Sequence, residues 1–237
     1  MVLKNKSEII SSFLTPAIKF WLRTQLEIED LTMEIHAGDK QILTGKIDQV
    51  SLETTKAIYQ GIHVSKAAVT TENIAVNLGG ILRGKPLKLL QPIFVRGKLI
   101  LSHHDIQTSL ESKLLHKGLI DLVNLLLKYQ QIGECEQILQ QYQFFWEKIT
   151  LQEDKFLLEA RLTNSNEKEY NFSLNASLKL KDDHILLFDS IEVTGIPDIN
   201  DMIIKHFEVD LGEDVALEKL ILTSQNLSCF GTIKVVS

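Results

Sequence analysis

Cysteine is scarce in this chain: Cys135 and Cys229 are the only two in 237 residues. They lie far apart and outside any metal-ligand spacing, which excludes a disulfide-built scaffold and a structural zinc site and predicts reduced thiols in a reducing compartment. Proline and glycine are sparse too, at four and twelve, and nowhere gather with serine into a linker. The chain is therefore read as one domain spanning 1–237, a length that mixed folds reach as a unit. Long apolar runs are also missing. No segment approaches the roughly eighteen uninterrupted apolar residues of a crossing helix, so any membrane contact is expected to be peripheral. The opening MVLKNKSEIISSFL is interrupted by Ser7, Glu8, Ser11 and Ser12, with no apolar core before a small-residue cleavage site. A cytoplasmic, peripherally membrane-associated protein is the expectation.

Positive charge is in short supply. The formal net charge is −6, divided as +2 over residues 1–150 and −8 over 151–237. Nucleic-acid binding normally needs a dominant basic face, so it is excluded as a general function. Catalytic signatures are equally absent: no G-x-S-x-G, no Walker A, no G-x-G-x-x-G after a strand and no H-E-x-x-H occurs. Gly79, Gly80 and Gly84 gather, but no helix start carrying Lys-Ser/Thr follows them, as a phosphate cradle requires. His103, His104 and Asp105 are the densest set of metal-ligand side chains. Neighbours on a strand end point to opposite sides, however, and solvated or capping roles are expected. Asp182-Asp183 and Glu213-Asp214 sit at turns, where acids are common for conformational reasons. No catalytic residue, metal or cofactor is assigned, and the chain is expected not to be an enzyme.

What is present is a stretch of unusual composition. Residues 73–104 carry Arg83, Lys85, Lys88, Arg96 and Lys98 and not one Asp or Glu, and without them the remainder would stand at −11. The cations alternate with Ile81, Leu82, Leu87, Leu89, Leu90, Ile93 and Phe94. Interleaved apolar and basic groups suit a surface that meets anionic lipid. On the residues alone they suit better a loop between strands whose cations are simply solvated.

Along the chain, Ser7 can cap an N-terminal helix over 7–25 with Ile10, Phe13, Leu14, Ala17, Ile18 and Trp21 on one face. Thr15-Pro16 is a second possible start, so one kinked helix or two short ones fit. Phe20 and Leu22 widen the apolar stripe to most of the circumference, which predicts burial in a groove or sheet. From 26 to 101 the period is two. Ile28, Leu31, Met33 and Ile35 mark a strand, with turn chemistry at 37–40. Ile47, Val50 and Leu52 mark a second, Ile62, Val64 and Val69 a third, and Ile74, Val76 and Leu78 a fourth. After an excursion at 79–92, Ile93, Val95, Leu99 and Leu101 resume the alternation, giving an antiparallel meander. A helical block over 105–142 starts at a cap on Asp105, with pieces meeting near Lys117 and Gly118 and a break at Gly133. Strands return over 144–237, interrupted by a short helix near 198–207 that Pro197 opens. The aromatics Tyr142, Phe144, Phe145 and Trp146 are expected to pack across the fold on one side, with a membrane-interface role for Trp146 as the alternative. The helices are too apolar to stand in water and are the natural cover of the sheet, an α+β arrangement.

Three blocks carry a family resemblance: LTPAIKFWLRTQLEIEDLTMEI, GDKQILTGKIDQVSLETTKAIYQGIHVSKAAVTTENIAVNLG, and LRGKPLKLLQPIFVRGKLILSHHDIQTSLESKLL. HILLFDSIEV, FEVDLGEDVALEKLIL and the closing GTIKV continue it. Taken together, the chain resembles the LmeA-like phospholipid-binding family, especially its cyanobacterial members. The resemblance implies a fold similar to the tubular lipid-binding superfamily, a long curved antiparallel sheet wrapped around apolar helices with a channel for acyl chains. It also implies a non-enzymatic phospholipid-binding or lipid-transfer protein whose partners are a phospholipid or other acyl lipid and an anionic membrane surface. On that reading Arg83, Lys85, Lys88, Arg96 and Lys98 meet headgroups or membrane. Phe13, Ile18, Phe20, Trp21, Leu82, Leu87, Leu122 and Leu126 are the candidates to line the groove. A structural or adaptor protein that binds another protein through the same groove or a sheet edge is the alternative.

Overall fold

A computed structural model of the chain describes residues 15–236. Alternating apolar residues produce eleven strands, all paired antiparallel, in two open sheets. The first sheet takes β1 (Glu27–His36), β2 (Lys46–Tyr59), β3 (Ile62–Ala75) and β4 (Ile93–Ser102) from the meander. The last two strands of the chain, β10 (Val215–Leu222) and β11 (Asn226–Val235), then return to it, giving the order β1-β2-β3-β4-β11-β10. The second sheet is the plain meander β5 (Tyr142–Gln152), β6 (Lys155–Asn164), β7 (Glu169–Asp182), β8 (Ile185–Thr194) and β9 (Met202–Asp210). The expected single long sheet is thus two, and the strands after 144 divide between them.

Other expectations are corrected locally. The third and fourth strands are one strand, β3, and the positive φ of Asn73 lets the inward phase pass from Thr71 to Ile74 without ending it. Residues 37–40 lead into a short helix, α2 (Asp39–Leu43), because Gln41 Oε1 accepts the Gly38 N–H at 3.1 Å and so closes a cap rather than a hairpin. Leu78 opens α3 (Leu78–Ile81) instead of ending a strand. Near 198–207 there is no helix: Pro197 lies in a turn, and Met202, Ile204 and Phe207 face the core from β9, whose backbone bonds are taken by β8. The helical block starts earlier, with α4 (His103–Ser109), and breaks at 110–112 before α5 (Lys113–Tyr129) and α6 (Cys135–Gln140). Gly118 lies inside α5, while Ser112 caps it by accepting the Leu115 N–H at 3.1 Å.

Two apolar cores result. The helix α1 (Thr15–Gln25) sinks Ile18 and Leu22 against Ile35, Val50, Ile74 and Ile93 of the first sheet, with Ile42 of α2 and Leu78 and Ile81 of α3 closing that end. The larger core packs α4, α5 and α6 onto the second sheet, where Val123, Leu126 and Leu127 meet Leu158, Leu162, Phe172 and Ile191. Phe144 and Trp146 stack with Phe172 inside this core. Trp146 is therefore a packing residue and not a membrane-interface one.

The helix α4 joins the halves. Its cap is Ser102, whose Oγ accepts the Asp105 N–H at 3.1 Å, while Asp105 sits at the third helical position. The Asp105 carboxylate accepts from the Ser102 N–H and hydroxyl, both at 2.7 Å, and from the Ser65 hydroxyl of β3. On the other side His103 Nε2 donates to the Ile149 carbonyl of β5 at 2.6 Å, and Gln107 bonds both Ile149 N–H and the Glu147 carbonyl.

Candidate functional site

Register places cross-strand partners on a common face, and on the first sheet the two faces differ sharply in chemistry. One face reads, from β10 across to β1, Leu220, Cys229, Leu99, Ala67, Thr54 and Leu31 in one row, then Leu217, Gly231, Gly97, Val69, Leu52 and Met33 in the next. The flanking rows are Leu222, Leu227 and Leu101 on one side and Val215, Ile233, Val95, Thr71, Val50 and Ile35 on the other. None of these positions is charged. The opposite face carries Lys219, Lys98 and Glu53 in one row and Arg96 and Glu34 in another.

The two cores cover the ends of the apolar face and leave its middle. Leu101, Leu222 and Leu227 belong to the larger core, and Met33, Leu52 and Val95 pack on the smaller one. Between them Val69, Leu99, Leu217, Leu220 and Cys229 belong to neither and are half-buried. The six steps from Val95 to Leu101 span roughly 20 Å of strand. Burial pushes the Cys229 thiol above its ordinary value, with a Leu99 backbone bond opposing, so this surface holds a neutral thiol rather than a thiolate. Thr71 Oγ1, on the same face, is shielded from solvent with no partner among the described residues.

The strands crowd at the centre of this face. Gly97 and Gly231 are directly paired on β4 and β11. A Cβ at Gly97 would lie 2.5 Å from Val69 Cγ1 and 2.8 Å from the Ala68 carbonyl oxygen, and one at Gly231 would lie 2.4 Å from the Ala216 oxygen. Glycine is required here because the neighbouring strands approach too closely for any side chain.

Of the predicted cations, the structure keeps Arg83, Lys85 and Lys88 together and exposed, on the segment between α3 and β4. No hydrogen bond or ion pair engages their side chains among the described residues. Arg96 and Lys98 are separated from them, on the charged sheet face. Arg96 is held by Glu218 at 2.8 Å and lies over the Phe230 ring at 4.9 Å. Of the groove candidates, Ile18 is buried in the smaller core, Leu87 is half-buried against it, and Leu126 is sealed in the larger core with Leu122 packed on its side. Phe20 and Leu82 face solvent. Phe13 and the Trp21 side chain lie outside the described residues.

One sequence family matches nearly the whole chain. Its model, described as LmeA-like phospholipid-binding, matches residues 6–232. The chain belongs to the LmeA-like phospholipid-binding family. No curated protein and no solved structure matches it significantly.

In this LmeA-like chain two open depressions occur, neither lined by Val69, Leu99, Leu217, Leu220 or Cys229. One, of about 740 Å³, is lined by α5, α6 and the β5–β6 end, including His116, Asn124, Gln140 and Thr163. The other, of about 530 Å³, lies on the first sheet among Asp30, Glu53, Lys66 and Lys98. Neither is lined by Arg83, Lys85 or Lys88. Among the described residues no three His, Cys, Asp or Glu side chains converge as a metal site, and no helix is long and apolar enough to cross a membrane. The half-buried residues Val69, Leu99, Leu217 and Leu220 were not singled out by sequence reasoning as lipid-facing. Alternation cannot place Leu217 and Leu220, three positions apart, on one face; the irregularity in β10 between Leu217 and Lys219 does so, and the strand order brings β10 and β11 beside β4.

Proposed function

We propose that this family member is a non-enzymatic phospholipid-binding and lipid-transfer protein. It holds acyl chains along the uncovered middle of the apolar sheet face and docks peripherally on an anionic membrane through Arg83, Lys85 and Lys88. The single observation that carries the reading is the charge-free face left half-buried between two closed cores. Each acyl CH₂ moved from water onto such a surface gains about 0.8 kcal/mol, so part of one chain suffices for retention. Near an anionic leaflet each cation contributes about 1 kcal/mol, which gives weak, salt-sensitive docking suited to a protein that must also leave. The close strand approach at Gly97 and Gly231 is compatible with a sheet that curls toward the helices in the manner of a tubular lipid-binding fold, with the whole chain acting as one unit at a cytoplasmic membrane surface.

Native mass spectrometry of the purified protein tests this directly. Bound phospholipid is expected, and Leu99→Asp, which sets a charge on the bed, is expected to remove most of it while the far-UV circular dichroism is unchanged. Protein that carries no lipid and ignores anionic vesicles at low salt would end the lipid reading. If such protein instead retained a polypeptide partner, the adaptor alternative would replace it.

A further inference from the structure

Antiparallel pairing brings the ends of β1, β3 and β11 and the starts of β2, β4 and β10 to one rim of the first sheet. The 76–92 segment is pinned across that rim. Val76 bridges Leu89, the Leu90 N–H donates to the Ala75 carbonyl at 2.8 Å, and Asn77 Oδ1 accepts the Lys88 N–H at 2.7 Å. Gln91 Nε2 adds a bond to the Asn73 carbonyl at 2.6 Å. With the backbone held, the segment sorts its apolar side chains into two sets. Ile81, Leu87, Leu89 and Ile93 turn into the smaller core. Leu82, Leu90 and Phe94 turn out, and they are 49%, 63% and 62% exposed. Leu43, at the end of α2, is 66% exposed and joins the same rim through the Val76 N–H bond to the Gly45 carbonyl.

Single exposed apolar residues are ordinary, but several at one rim beside three cations are not. The acids at this rim lie mostly elsewhere. Asp48 and Glu72 are on β2 and β3, and Glu213 and Asp214 precede β10 at the far edge, where Asp214 pairs with Lys234 at 3.2 Å. The segment itself has none. Cations on a hydrogen-bonded segment, flanked by outward leucines and a phenylalanine, match one occupant, an anionic phospholipid bilayer, whose phosphates meet the cations while its hydrocarbon receives the apolar groups.

We propose that the rim penetrates the membrane: Leu43, Leu82, Leu90 and Phe94 enter the acyl region while Arg83, Lys85 and Lys88 hold the phosphates. This rests on the phospholipid-binding reading and adds to it an orientation, rim down, with the apolar sheet face rising from the bilayer surface. Leu82 is then a membrane anchor rather than part of an internal groove. Docking has a salt-resistant part that a purely electrostatic contact lacks.

The test uses the full chain with Leu90→Trp, and Ile203→Trp on the exposed face of β9 as a control, on vesicles containing brominated phosphatidylglycerol. Fluorescence, taken as the difference from the parent protein, is expected to be quenched for Leu90→Trp and not for Ile203→Trp. Leu82→Asp combined with Leu90→Asp is expected to lower partitioning by about tenfold or more, and most at physiological salt, without moving the melting temperature. An unquenched Leu90→Trp on vesicles that do bind the protein, or partitioning indifferent to the double variant, overturns the insertion. Native mass spectrometry of the same samples separates the two failures. Retained lipid with an unquenched Leu90→Trp sinks the rim alone, and quenching on a protein that never holds lipid sinks the carrier reading alone.

Discussion

Asp105 ties three segments together through one carboxylate. Burial opposes its ionisation, but the hydroxyls of Ser65 and Ser102 and the Ser102 N–H outweigh that cost and hold its pKa below the ordinary carboxylate value, with a smaller contribution from His63. A carboxylate depressed in the folded state stabilises the fold fully above its unfolded pKa of about 3.9, and that contribution disappears as pH falls through the lower folded value. Asp105→Asn is therefore expected to lower stability by about 1 to 2 kcal/mol at neutral pH, with the gap to the parent closing only as pH falls below the ordinary carboxylate value. Urea melts at a series of pH values check this, and a gap that stays constant down to acid would show that the charge is irrelevant. In the sequence Asp105 reads as a cap. The role of Ser65, forty positions away, is visible only once β3 lies beside α4.

At the scale of elements, the glycine pair on β4 and β11 lets the neighbouring strands of the first sheet approach closely. Gly231→Ala would set a methyl 2.7 Å from the Leu217 Cα, against backbone that must move to make room. We expect a loss of about 1 to 3 kcal/mol by thermal or chemical melting, together with weaker lipid retention, because the apolar rows would spread. Undiminished stability would mean that the strands separate freely there. Element identity was legible wherever period and neighbours agreed: the described part of the N-terminal helix, β5 to β8, and the two closing strands all lie where the period places them. It failed at β9, where Met202, Ile203 and Phe207 fit a helical spacing as well as a strand. The open edge of β8 resolved that ambiguity by taking up the backbone hydrogen bonds.

For the whole molecule, charge and apolar surface are separated by place. The apolar face lies on one side of the first sheet, the mixed charges of Lys98, Arg96 and Glu53 lie on the other, and Arg83, Lys85 and Lys88 sit at its rim. Replacing Arg83, Lys85 and Lys88 together by Glu is expected to weaken association with anionic vesicles by about a hundredfold or more at low salt, leaving the melting temperature within error. Vesicle cosedimentation across a salt series checks this. Association that survives the triple reversal would remove the segment from docking. Arg96→Glu makes the contrast, because its partner Glu218 and the ring of Phe230 tie it to the sheet: it should cost some stability and little membrane affinity.

Local chemistry alone determined that this chain is built of amphipathic strands and apolar helices, that its basic segment is free of acids, and that its blocks carry an LmeA-like pattern. Those properties depend on residue order within a few turns or strands, where side-chain period and composition act directly. Tertiary structure decided which inward residues became core and which stayed half-open. Leu126 and Leu99 read alike as buried apolar positions, yet one is enclosed by a second sheet and the other faces a gap, since coverage depends on where the partner layers end. It likewise drew Arg96 away from Arg83, because register and an ion pair with a residue more than a hundred positions distant, and not proximity in the chain, settle where a long cationic side chain is held.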